Sequence, residues 1–130
     1  MVARSLPLAL VVAALASCGE GERATPEDDV RDVVTRFGQA SAKKDYQTIC
    51  DQLLAAALVK NVEQYGLPCE LAFQRSIGDV EAPRLRLGEV RVDGERASAR
   101  VTTTAAGQQP SIDTLALRRV GGEWRIAALS

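Results

Sequence analysis

The chain has no histidine among its 130 residues, and its aromatics are one Trp, two Tyr and two Phe. Without histidine it lacks the side chain that titrates nearest neutral pH and the commonest metal ligand. Three cysteines alone cannot complete a tetrahedral zinc site, so neither a metal nor a cofactor is expected. A cationic excess is missing too: sixteen Lys/Arg stand against seventeen Asp/Glu. With few rings to stack on bases and no surplus charge for phosphates, no nucleic-acid partner is expected. A membrane-spanning run is also lacking. The uncharged stretch Leu6–Ala16 is eleven residues, a helix of about 16 Å against a hydrocarbon core of about 30 Å. What remains is the balance of a globular chain, 46% apolar and 25% charged, long enough for one domain.

That short apolar run has the length of a signal-peptide core, preceded by Arg4, the only charge before Glu20. Its end carries two readings. Leu15-Ala16-Ser17-Cys18 resembles the lipobox of bacterial lipoproteins, in which the cysteine receives the lipid. Ala14-Leu15-Ala16 also fits the small-x-small site of ordinary secretion. Cysteine parity favours the first, because an acylated Cys18 leaves Cys50 and Cys69 as a pair in an oxidising space. The expectation is a lipoprotein signal peptide over residues 1–17, a flexible tether over 18–25 and a domain over 26–130. The lipobox resemblance implies a diacylglyceryl thioether on Cys18, often with an added N-acyl chain, and two or more chains anchor stably. The protein is then expected on the extracytoplasmic face of the cell membrane.

Within the domain, Thr25-Pro26-Glu27-Asp28 reads as a helix start: a hydroxyl cap, proline in the first turn, and acids at the positive end. Val30, Val33, Val34, Phe37, Ala40 and Ser41 form its apolar stripe, and Lys43-Lys44 suit its C-terminal end. Asp45 caps a second predicted helix whose buried side is Ile49, Cys50, Leu53, Leu54, Ala57 and Leu58, fading through Val62 to a stop at Gly66. Pro68 opens a third, with Cys69, Ala72, Phe73, Ser76 and Ile77, ended by Gly78.

After residue 83 the period changes to two. Leu85 and Leu87 alternate with Arg84 and Arg86, and Val90 and Val92 with Glu89, Arg91 and Asp93. The parity flips once, at Gly88, which predicts a β-bulge at Gly88-Glu89. A turn at Asp93-Gly94 would pair Val92 with Glu95, Val90 with Ala97, Leu87 with Ala99 and Leu85 with Val101. A second turn at Gly121-Gly122 would pair Arg119 with Trp124, Leu117 with Ile126 and Leu115 with Ala128. The fold class predicted is α+β: three N-terminal helices packed on a curved, bulged, four-stranded antiparallel sheet.

Ala42-Lys43-Lys44-Asp45 leading into a helix with Cys50, a later Cys69, a bulged sheet and a closing Gly121-Gly122-Glu123-Trp124-Arg125-Ile126 strand resemble the nuclear transport factor 2-like superfamily. The likeness is to its small bacterial lipoproteins and covers residues 26–130. It implies a cone-shaped domain whose sheet wraps the helices, often with a pocket at the wide end. It implies no activity, because that fold hosts isomerases, cyclases, hydrolases and inert modules alike.

The candidate residues follow from these placements. Cys50 and Cys69 are expected as a structural disulfide rather than a redox pair, which would more often show Cys-x-x-Cys spacing. Asp113 shares the parity of Leu115 and Leu117, so it is the one acid that could look into the cone. Arg119 and Trp124 are expected opposite each other, close enough for a cation–π contact and a pocket wall. The outer sheet face is arginine-rich, with Arg91, Arg96, Arg100, Arg118 and Arg125 among Glu89 and Glu123. No catalytic residue is assigned. The leading expectation is a lipid-anchored envelope domain without catalysis that binds a small ligand or a partner protein. The alternatives are a small enzyme using carboxylate acid–base groups in the cone, or a homodimer formed through the outer sheet.

Overall fold

The computed structural model describes residues 24–130. The signal segment, Cys18 and the tether as far as residue 23 lie outside the described residues. Helix α1 runs Pro26–Lys43, and its start is built as the sequence reads. The Asp28 amide donates to Thr25 Oγ1 (3.2 Å) while the Thr25 amide donates to Asp28 Oδ2 (3.1 Å), so two otherwise orphaned donors are satisfied reciprocally. Val30, Val33, Val34 and Ala40 are buried along its stripe. Lys44 closes the helix in the left-handed region at φ 56°, and its Nζ donates to the Gly78 carbonyl.

The second helix departs from expectation. Where one helix from Asp45 to beyond Leu58 was predicted, the chain forms α2 (Tyr46–Thr48), a π-helical turn Ile49–Leu53, and a separate α3 (Ala56–Glu63). Between them Leu54 and Ala55 are extended and buried. The cause is distant in sequence. The Ala55 amide donates to the Ile126 carbonyl at 2.7 Å, and Leu54 forms a parallel bridge to Ile126. An extended pair on the last strand replaces helical bonds there, and it covers a sheet edge that would otherwise expose unpaired backbone. Ala57, expected inside, is exposed in consequence. Helix α4 (Cys69–Ile77) follows with Pro68 as its cap, so the described residues contain four helices where three were predicted.

The sheet is an antiparallel meander in the order β1 (Arg84–Asp93), β2 (Arg96–Thr104), β3 (Ser111–Val120), β4 (Glu123–Leu129). The bulge falls between Leu87 and Val90, as the parity flip requires. A Cβ on Gly88 would stand 3.1 Å from the Arg100 carbonyl oxygen, which is why glycine sits there. The first hairpin is shifted by one turn position. Asp93 pairs with Arg96, Val92 with Ala97, Val90 with Ala99, Leu87 with Val101 and Leu85 with Thr103. Gly94 at φ 60° takes the first central position of the turn, and glycine-first turns of this kind match the twist of the strands. At Gly121-Gly122 both residues have positive φ and the predicted pairs Arg119–Trp124 and Leu117–Ile126 form. A second bulge then inserts Ala127, so Leu115 pairs with Leu129 and not with Ala128, which is exposed.

Helix α1 lies against β1, β2 and β4 on the inner face of the sheet. One core joins Val30, Val34, Ile49 and Leu53 to Ala99, Leu117, Trp124 and Ile126. Cys50 and Cys69, both buried, form a disulfide with Cα atoms 6.1 Å apart, tying the π-turn to the first residue of α4. No helix among the described residues is long and apolar enough to cross a membrane.

Candidate functional site

Where α1 and α4 diverge over the sheet they leave an open, mainly apolar cleft of about 630 Å³. Phe37 of α1, Phe73 and Ile77 of α4, and Leu85, Leu115 and Leu129 of the sheet supply its apolar wall. The second bulge matters here. By inserting Ala127 it turns Leu129, rather than Ala128, into the cleft. Phe73 lines this space without filling it, remaining half-buried. The opposite rim carries uncharged donors and acceptors on Thr103, Gln108 and Ser111. Next to that rim the Ala106 amide donates to the Glu81 carbonyl (2.9 Å), joining the β2–β3 loop to the segment before β1.

The charged side chains that border the cleft are Arg84 and Asp113. Asp113 is half-buried and accepts a hydrogen bond from Ser111 Oγ at 2.9 Å. Among the described residues no polar or charged residue is fully buried, and no group of three or more His, Cys, Asp or Glu could hold a metal ion.

Asp113, Arg119 and Trp124, expected to share a pocket, do not converge. Trp124 is 5% exposed and packs in the core near the start of α1. There it borders a different, acid-lined cleft of about 600 Å³ with Asp28, Asp32 and Glu123. Arg119 pairs with it in register but is exposed and lines neither cleft. The two clefts lie at opposite ends of β3, Asp113 at one and the Gly121-Gly122 turn at the other. Sequence parity places residues on a face. It does not say how far along that face the helices reach, and this separates the three.

Two carboxylates have displaced titration, both as helix caps. Hydrogen bonds from the Thr25 backbone and hydroxyl hold Asp28 below the usual carboxylate range. The Thr48 hydroxyl (2.7 Å) and then its amide (3.1 Å) do the same for Asp45. Both are exposed capping groups remote from the apolar cleft, so they serve the helices and not chemistry.

Four helices on a curled, four-stranded antiparallel meander define a cone-type α+β architecture with its opening between α1 and α4. No family model matches this chain, and no curated protein matches it. Solved structures do. The chain is similar to a nuclear transport factor 2-like protein of unknown function from Shewanella baltica, at 17% identity and TM-score 0.57 over 78% of this chain and 87% of that one. A Streptomyces avermitilis protein of the same family, provisionally called a dehydratase, matches at 17% and 0.57 over 79% and 91%. A de novo designed protein of this fold matches at 16% and 0.56 over 82% and 87%. The described residues therefore have the nuclear transport factor 2-like fold. At these identities the likeness extends to the fold alone.

Proposed function

We propose that this protein is a lipid-anchored, extracytoplasmic domain that holds a small, largely apolar molecule in the cleft between α1, α4 and the sheet, without catalysis. The observation that carries the reading is the cleft itself. Its volume of about 630 Å³ lies within the roughly 300–1,000 Å³ usual for ligand sites, and such sites pair an apolar wall with a few polar groups. An acid–base enzyme in the same space would need a buried carboxylate with a donor beside it. Asp113 is half exposed and has a serine hydroxyl as its partner. The anchor is supported by Leu15-Ala16-Ser17-Cys18 and by the pairing of Cys50 with Cys69, which leaves Cys18 as the third of three cysteines.

Nile red, a neutral apolar dye, tests the cleft. Its emission should rise and shift to the blue on adding the oxidised protein. Ala72→Trp, which places an indole on the cleft wall, should remove that response while leaving cooperative unfolding intact. A response equal in the variant, or none in the wild type, would sink the reading. The anchor is tested separately by Cys18→Ser, which should leave the precursor unprocessed and without added lipid mass in a bacterial host.

A further inference from the structure

Charge is not spread evenly over this domain. From residue 25 to 83, six Lys/Arg face ten Asp/Glu; from 84 to 130, eight Arg face five Asp/Glu. The helical layer is therefore net −4 and the sheet net +3. On the outer face of the sheet, five exposed arginines point away from the core: Arg86, Arg91, Arg96, Arg100 and Arg118. Arg96 is the direct partner of Arg118, so two exposed guanidinium groups stand side by side on adjacent strands, while Arg125 beyond them is held by the Asp51 carbonyl (3.0 Å) and by Glu123 (3.1 Å). Like charges placed directly opposite on a sheet are destabilising. Among the described residues the ion pairs are Arg91–Glu89 and Arg125–Glu123, which leaves Arg96, Arg100 and Arg118 without a carboxylate partner.

We propose that this outer sheet face docks on an anionic phospholipid surface, with the pair Arg96–Arg118 and the neighbouring Arg100 as its centre. Charge complementarity selects the partner. A planar guanidinium fork fits phosphate oxygens, and a flat array of headgroups accepts neighbouring forks at strand spacing without demanding a shaped pocket. The helical layer, net −4, packs against the inner face of the sheet, so its repulsion from an anionic surface favours contact through the outer face that carries Arg96, Arg100 and Arg118. Docked this way, the apolar cleft at the far end of β3 stays open to its ligand. The proposal needs neither lipidation of Cys18 nor an occupied cleft.

The test is co-sedimentation of residues 24–130, which carry every described helix and strand, the core and the disulfide. Cooperative urea unfolding is checked first. Vesicles of phosphatidylcholine with and without 30% phosphatidylglycerol are compared at low and high salt. Binding is expected on the anionic vesicles only, falling steeply as salt rises. Arg96→Gln with Arg118→Gln should weaken it about twenty-five-fold, at roughly five-fold per arginine near an anionic surface. Lys60→Gln with Arg75→Gln, the same charge change on the helical layer, should leave it unchanged. Equal binding to neutral vesicles, no binding at low salt, or equal loss in both double variants would overturn the proposal. So would a solution dimer that buries Arg96 and Arg118.

Discussion

Reducing the Cys50–Cys69 bond should destabilise the domain by about 3 kcal/mol. The two residues are 19 apart in sequence, and for a closed loop of that size the chain-entropy treatment gives roughly 11 cal/mol/K of lost unfolded-state entropy. For a domain of this length that corresponds to a fall in Tm of roughly 12 °C. Reduction is the cleaner perturbation, because both sulfurs are buried and stay where they pack. Cys50→Ala with Cys69→Ala should cost about 1 kcal/mol more, for the two small voids left behind. Serine would add buried hydroxyls and confuse the comparison. Urea unfolding followed by Trp124 emission reads the effect directly, since it is the one tryptophan and is 5% exposed. The slope against urea should also rise on reduction, because the unlinked chain exposes more surface when unfolded. A loss under about 1 kcal/mol with an unchanged slope would refute the entropic account.

Ala55→Pro probes the contact that interrupts the second helix. Ala55 has φ −66° and ψ 144°, and Leu54 before it is extended, so proline fits the backbone and removes only the donor to Ile126. An unpaired buried carbonyl costs about 1–3 kcal/mol, and the stiffer unfolded chain offsets about 0.5–1 of it. A net loss of about 1 kcal/mol in urea unfolding is expected, and a stabilised variant would contradict the role given to that bond. The caps predict the acid limb of stability. Asp28 and Asp45 titrate lower folded than unfolded, so their contribution is complete above the ordinary carboxylate pKa of about 4 and fades as pH falls through the folded values. Asp28→Asn with Asp45→Asn should therefore flatten the dependence of Tm on pH below about 4 while changing it little at pH 7.

The elements most legible in the sequence are those specified by residues close together in the chain. Thr25, Pro26 and the acids after them cap α1 within one turn, and the parity flip at Gly88 marks its bulge because side-chain alternation is a nearest-neighbour property. Gly121-Gly122 sets its own hairpin through two positive φ angles. Even the Cys50–Cys69 pairing was accessible, from a count of three and one alternative use for Cys18.

The break at Leu54–Ala55 had no such local signal. Its residues continue a helical stripe, and what pulls them straight is the carbonyl of Ile126, more than seventy positions away. The bulge at Ala127 is of the same kind: alternation alone predicts Ala128 opposite Leu115, and the inserted residue puts Leu129 there instead, at the open edge of the apolar cleft. The candidate site depends on that second kind of information throughout. Asp113, Arg119 and Trp124 share a parity, but only the distance at which α1 and α4 separate decides which of them borders the apolar cleft. Local chemistry determined the helices, turns and alternation. Backbone bonds between distant segments, and the space where packing stops, decided the helix count, the register and the cleft.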